Sequence, residues 1–208
     1  MILIGQYDSS FVRRVGIALR LYDIPFEHRP WSILGDAEKI QPLNPLIRVP
    51  TLILDSGDVL IESNLILDYI DSLVPPERRM VSQAEPERHG ALKIVGLATG
   101  LADKAVSLFY ERVLHAEVSP VWVDRCRSQI AATLAMLEAD RAARDGSYWF
   151  GETMGHADIA VAACLRHAME ANPGVIDLDA YPALKAHAAQ LEALPVFQEI
   201  SQPFIAPA

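Results

Sequence analysis

The sequence is poor in cysteine. Only Cys126 and Cys164 occur in 208 residues, far apart and each within helix-patterned sequence. A disulfide framework is therefore not expected, and both are predicted to be buried free thiols. Histidine is sparse too. The six histidines include no pair at helical metal-ligand spacing, so no metal site is predicted. Long apolar runs are absent: nothing approaches the roughly 18 uninterrupted apolar residues that a membrane span needs. The apolar "MILI" at the start has no basic stretch before it and is too short for a secretory signal. A cytoplasmic protein is expected. Positive charge is also in deficit. Six basic side chains face ten acidic ones up to Pro76, and twelve face seventeen after it. Neither half offers a basic surface for nucleic acid or an anionic membrane.

What is present is apolar sequence with clear periodicity. Hydrophobic residues make up 51% of the chain, enough to bury a substantial core. "MILI" reads as a short strand. Phe11, Val15, Ala18, Leu19 and Tyr22 recur at helical spacing, which predicts an amphipathic helix over about 10–22. "IPFEHRP" reads as a second strand, and residues 35–41 as weakly helical. "VPTLILD" and "VLIE" flank the turn "SGD" and predict a hairpin. A helix from Ser63, marked by Leu65, Ile66, Tyr69, Ile70 and Leu73, must stop at Pro75-Pro76. The order β-α-β-α-β-β-α predicts a small mixed sheet with its first two strands parallel and its last two antiparallel.

"PPERRMVSQAEPER" is polar and proline-containing, so residues 77–85 read as a linker. The remainder, 86–208, is helical in pattern, with candidates at about 86–115, 119–144, 155–171, 181–193 and 195–200. "ADIAVAACLRHAM" is apolar nearly all round and predicts a central buried helix. Gly155 fits its N-cap, with Asp158 placed to accept from the cap backbone, a half capping box.

Three stretches of residues 1–76 carry candidate chemistry. In "DSSFVR" Asp8, Ser9 and Ser10 all suit a helix start, where unpaired N–H groups and a partial positive charge favour anions and ionised thiols. Ser9 reads either as a plain cap or as a hydroxyl donor to a thiolate. In "RVPT" Pro50 precedes a strand, and only X-Pro bonds adopt cis cheaply. Val49's backbone could then pair with an extended peptide. In "IESN" Ser63 suits a helix cap and Glu62 favours the positive helix end. Read functionally, Ser63 with the helix N–H groups would hold a carboxylate and Glu62 an ammonium. That is the head of an amino acid.

Taken together, an amino-acid head, a peptide stretch and a thiol describe glutathione. Over its whole length the chain resembles the glutathione S-transferase family, in "SSFVRRVGIAL", "NPLIRVPTLIL", "ESNLILDYID", "GLADKAV", "GHADIAVAACL" and "YPALKAHAAQLEALP". The resemblance implies a thioredoxin-like α/β domain over 1–76, with a mixed four-stranded sheet, followed by an all-α domain, as a homodimer. It is closest in kind to bacterial serine-type or theta-like members. Carried over by position, Ser9 resembles the catalytic serine. Val49 before cis-Pro50 would bind the cysteinyl backbone, and Glu62 and Ser63 the γ-glutamyl end. Arg48 would meet the glycyl carboxylate. Many relatives have Ser-Pro where this chain has Ser9-Ser10, so Ser10 stays a rival. Tyr7 is another, since it lies where tyrosine-type members carry a catalytic phenol. The cysteine-free first domain speaks against the cysteine-type branches.

The activity implied is transfer of glutathione to an apolar electrophile, of the detoxification type. The electrophile is expected between the domains, with Leu108, Phe109 and Arg112 as candidates to meet it. A glutathione-binding regulatory protein without turnover, and a glutathione-dependent peroxidase or isomerase, are the alternative readings.

Overall fold

The computed structural model describes residues 1–206; Pro207 and Ala208, at the end of the expected helical region, lie outside the described residues. The chain divides into two compact units. One comprises Met1–Met80 together with the described residues from Leu194 onward, and the other Val81–Ala193.

The first unit opens with strand β1 (Ile2–Ile4), helix α1 (Ser10–Leu21), strand β2 (Glu27–Arg29) and the short helix α2 (Ala37–Ile40). Strands β3 (Thr51–Ile53) and β4 (Val59–Ile61) and helix α3 (Ser63–Ser72) complete the series. The sheet order is β2-β1-β3-β4. β1 and β2 are parallel, with Leu3 opposite His28, whereas β3 runs antiparallel to both β1 and β4. This is the mixed four-stranded sheet expected. Strands of three residues suffice because the central pair, β1 and β3, bury most of their side chains, while β2 and β4 at the edges stay partly exposed. Leu3 and Leu52 from the sheet join Val12, Val15, Ala18 and Leu19 of α1 and Ile66, Leu67 and Ile70 of α3 in one core. Tyr22 closes it at the far end of α1. Its hydroxyl donates to Asp71 Oδ1 at 2.5 Å and accepts from the Met80 N–H at 2.7 Å.

Helix α1 departs from the amphipathic expectation. Every residue from Val12 to Leu19 is buried, Arg13 and Arg14 included, while Phe11 is only half-buried. The reason lies at the other end of the chain. The last helix, α8 (Pro195–Glu199), packs on α1 and covers a second flank. Arg13 survives burial because Nε donates to Ile200 O and Nη2 to Phe197 O, each at 2.8 Å. Residues 194–206, expected to extend the helical region, thus pack with the first unit.

The second unit is all helical in its long elements: α4 (Glu87–Val113), α5 (Pro120–Ala142), α6 (His156–Ala171) and α7 (Pro182–Glu192). As expected, α6 is central, with Ala157–Leu165 wholly buried. Its run of alanines lets α4 approach closely, and α7 packs on another side. Asp158 fixes its start, Oδ2 accepting from the Gly155 N–H at 2.8 Å and Oδ1 from the Trp149 N–H at 2.7 Å. Among the described residues no helix is long and apolar enough to cross a membrane.

Candidate active site

Strand register gathers the candidate residues. Ile4 of β1 pairs with Thr51 of β3, and Thr51 pairs with Ile61 of β4. The segment carrying Tyr7 and Ser9 follows Ile4. Val49 and Pro50 precede Thr51, and Glu62 and Ser63 follow Ile61. All three segments therefore leave the same end of three neighbouring strands. Glycine draws two of them together. Gly5 has φ +128°, and a Cβ there would lie 2.5 Å from Val12 Cγ2 and 2.8 Å from Val49 Cβ. Only a residue without a side chain admits that approach.

Ser9 occupies the N-cap position of α1, with φ −70° and ψ 117°, but its side chain makes no capping hydrogen bond. Its backbone does the local work: the N–H donates to Gln6 O at 3.2 Å and the carbonyl accepts from the Arg13 N–H at 2.9 Å. The hydroxyl is left half-exposed at the positive end of the helix. The rivals are placed differently. Ser10 is 1% exposed, with its Oγ buried and unpartnered. Tyr7 stacks on His28 at 3.8 Å between ring centroids and 9° between planes. Its ring edge lies against Gly16, where a Cβ would be 3.1 Å from Tyr7 Cε1. Gly16 is six residues into α1, about 9 Å along its axis from Ser10. Burial pushes the Tyr7 phenol up to about 12, Arg20 opposing and Glu199 adding to the effect.

The Val49–Pro50 bond is cis, and the Val49 N–H and C=O make no backbone hydrogen bonds among the described residues. The turn before it is held by a residue that sequence reasoning passed over. Asn44, 1% exposed, donates to Arg48 O at 2.9 Å and Thr51 Oγ1 at 3.1 Å, and accepts from the Leu46 N–H. The "NP" dipeptide preceding a strand was the available signal.

Glu62, not Ser63, sits in the N-cap position of α3. Its φ of +68° is in the left-handed region, unusual for a residue with a side chain. Ser63 is the first helical residue, 3% exposed, and its Oγ accepts from Arg14 Nη1 at 3.3 Å. The same nitrogen donates to Asn64 Oδ1 at 2.6 Å. Arg14, 1% exposed, thereby ties α1 to the start of α3. Nothing in the sequence distinguished it from a solvated helix arginine. Arg48 Nη1 reaches Glu62 Oε1 at 3.1 Å, so the two residues assigned to opposite ends of the ligand pair with each other.

In the second unit Leu108 is fully buried and so has no surface to offer a second substrate, and Phe109 is 8% exposed. Arg112 donates to Asn172 Oδ1 at 2.5 Å.

Comparison with known proteins places the chain. Residues 3–78 match the model of the glutathione S-transferase N-terminal domain, and residues 120–190 that of the C-terminal domain. The GST-like protein YibF of Escherichia coli is 31% identical over 139 residues, covering 66% of this chain and 68% of that protein. Maleylacetoacetate isomerase of Pseudomonas aeruginosa is 28% identical, covering 96% and 94%. The crystal structure of a glutathione S-transferase from Methylobacterium radiotolerans, in complex with glutathione sulfonate, superposes with a TM-score of 0.89. It is 26% identical, over 100% of this chain and 98% of that one. The chain belongs to the glutathione S-transferase family.

Proposed function

We propose that the protein is a serine-type glutathione transferase that ionises the glutathione thiol at Ser9 and directs the thiolate at an apolar electrophile. The observation that carries this reading is the convergence of three segments at one end of the sheet, with the Ser9 hydroxyl uncommitted at a helix tip. The Ser9 Oγ–H donates to the thiolate. Val49 pairs its backbone with the cysteinyl residue. Glu62 holds the α-ammonium, and Ser63 with the first N–H groups of α3 holds the α-carboxylate. Ser63 already accepts from Arg14, so its own proton is free to point at that carboxylate. Arg48 turns from Glu62 to the glycyl carboxylate. The thiolate then attacks the electrophilic carbon. The C–S bond forms as a leaving group departs with its electron pair, or as the π electrons of an activated double bond shift to the neighbouring carbon, which then takes a proton.

Thiolate activation alone is a modest gain. A thiol of pKa about 8.5 is about 3% ionised at pH 7. Lowering it to about 6.5 gives about 75%, roughly 25-fold more thiolate. Nucleophilicity falls by about eightfold over the same range, leaving about threefold. Placement of the electrophile must supply most of the rate.

The relative from P. aeruginosa bears the name of an isomerase, and the same site suits a second reading, in which glutathione adds to a conjugated double bond and leaves again. Retention on immobilised glutathione, followed by turnover with a panel of electrophiles while free thiol is counted, tests both. Transfer consumes one thiol per turnover and isomerisation none. Retention without turnover on any electrophile overturns the enzymatic reading.

The protein is further proposed to work in the cytoplasm as a homodimer. The buried thiols of Cys126 and Cys164, neither in a disulfide, suit a reducing compartment. Leu46 and Leu65 of the first unit, 59% and 65% exposed, are apolar side chains a second copy would cover. Sedimentation at a mass near 23 kDa would exclude the dimer.

A further inference from the structure

The two residues that lead into Ser9 are held from the far end of the chain. The Tyr7 N–H donates to Gln202 Oε1 at 3.1 Å, and Asp8 Oδ2 accepts from the Ile205 N–H at 3.1 Å. The same tail is locked onto α1 just behind the loop. Arg13 Nε and Nη2 donate to Ile200 O and Phe197 O, and the Arg13 guanidinium carbon lies 5.4 Å from the centre of the Phe197 ring. Ile200 seats in the notch left by Gly16, where a Cβ would be 2.9 Å from Ile200 Cγ2. The tail is thus anchored at 197–200 and reaches forward to 202–205 to grip Tyr7 and Asp8.

The Ser9 side chain contributes nothing to its own placement, and the Ser9 carbonyl is fixed by the Arg13 N–H, on the helix side only. Its side chain caps nothing, and its N–H bond to Gln6 O is 3.2 Å long. On the other side the loop is held by His28, whose Nε2–H donates to Gly5 O at 2.8 Å and whose ring stacks on Tyr7. Between that point and α1, the Tyr7 amide, two residues before Ser9, has a side-chain acceptor, and Gln202 supplies it. A hydroxyl that must donate to a sulfur tolerates little error: a misplacement of about 1 Å can cost about 100-fold in rate. The orientation of the Ser9 hydroxyl follows the backbone of residues 7 and 8.

We propose that Gln202 is a positioning residue for the reaction: by accepting the Tyr7 N–H it sets the direction of the Ser9 hydroxyl toward the glutathione sulfur. The proposal rests on Ser9 being the thiolate's donor. Gln202 acts through the Tyr7 backbone, and the loss of one hydrogen bond to a half-buried amide costs little global stability.

The test compares Gln202→Leu, Gln202→Glu and Ser9→Ala in the full-length protein, with glutathione and a nitro-activated aryl chloride. Gln202→Leu lacks the acceptor and should lose about tenfold in kcat, with KM for glutathione within about twofold, because the peptide is held at Arg48, Val49, Glu62 and Ser63. The ultraviolet absorbance of bound thiolate at fixed pH should fall with kcat. Gln202→Glu keeps an acceptor oxygen and should restore both. Exchange of the Tyr7 amide hydrogen, read in the uncomplexed protein, should quicken in Gln202→Leu while the thermal midpoint stays in place. Gln202→Leu at wild-type kcat and absorbance, alongside an impaired Ser9→Ala, overturns this proposal and leaves the Ser9 reading standing. An equal loss in Gln202→Glu and Gln202→Leu overturns it as well, since the acceptor is then immaterial. Ser9→Ala at wild-type turnover overturns the Ser9 reading and this proposal with it.

Discussion

Arg48 and Glu62 form an ion pair of 3.1 Å across the site, with side chains 54% and 46% exposed. A pair so accessible contributes about 1 kcal/mol or less to folding. In the proposed reading its two members serve the ligand instead, and the separation can be measured. Glu62→Gln and Arg48→Met should each move the thermal midpoint by no more than about 4 °C. Each should weaken glutathione binding by about tenfold or more, since a charge-assisted hydrogen bond carries about 1.5–3 kcal/mol. Titration calorimetry read beside thermal unfolding checks both. Equal effects on folding and binding would refute the division.

The three hydroxyls near the start of α1 predict three outcomes. Ser9→Ala should bind glutathione normally and lose about 10- to 1000-fold in turnover, the scale of removing a donor to a developing or stored anion. Tyr7→Phe should leave turnover close to wild type, because its ring stacks on His28 beside Gly16 and its phenol is held protonated by burial. Ser10→Ala should do the same, since its Oγ is buried. A large loss in Tyr7→Phe with none in Ser9→Ala would transfer the role.

Arg14 predicts a coupled loss. Arg14→Leu leaves the buried Ser63 Oγ without its donor, while the exposed Asn64 can turn its amide to solvent. One orphaned buried group costs about 1–3 kcal/mol, and the protein should lose about that much. For a chain of this size the midpoint falls by roughly 2–12 °C. Glutathione affinity should fall as well, because the Ser63 hydroxyl is no longer oriented. Denaturant melts and binding titrations on the same preparation separate the two effects.

His187 predicts acid sensitivity of the helical unit. It is 2% exposed, edge-on to Trp149 at 5.2 Å, and its Nε2 lies 3.5 Å from Asp158 Oδ1. That approach is too long for a strong ion pair, and burial, helped by Arg141, depresses the imidazole to about 4. His187 is therefore neutral in the folded protein while the unfolded chain titrates near 6.5. Below pH 6.5 the unfolded state binds the extra proton, so stability falls as pH drops and levels off below about 4. Across that window the cost reaches roughly 3 kcal/mol. Asp158, raised by its own burial, works in the opposite sense and offsets part of it at the acid end. His187→Leu should flatten the fall in urea midpoint between pH 6.5 and 4, and an unchanged slope would show that other groups set it.

The sequence disclosed what is local and concealed what is distant. The strand and helix order, the parallel and antiparallel pairs and the central α6 are written in periodicity and in proline positions, which depend on neighbours a few residues away. The segments around Ser9, Val49 and Glu62 were legible for the same reason, as motifs with fixed local neighbours. Which of three hydroxyls is both uncommitted and accessible was not, since burial and capping are set by the fold and not by residue type. Arg13 and Arg14 looked like the polar face of α1. Their burial depends on acceptors at Phe197, Ile200, Ser63 and Asn64, which no window of helical length contains. Asn44 and Gln202 were missed because what each does is set by the backbone groups it meets.

The return of the tail to α1 also sets an order of assembly on the ribosome. Residues 1–80 emerge first, yet the acceptors for Arg13 at Phe197 and Ile200 are made only after the whole of Val81–Ala193. At about 5–20 residues per second that interval is roughly 6–23 s. For that time the nascent first unit carries an unclosed flank on α1, with Arg13 still lacking its acceptors at Phe197 and Ile200. The segment that completes the first unit is made only after the whole of the helical unit, so the loop bearing Ser9 is finished late, once that segment has emerged.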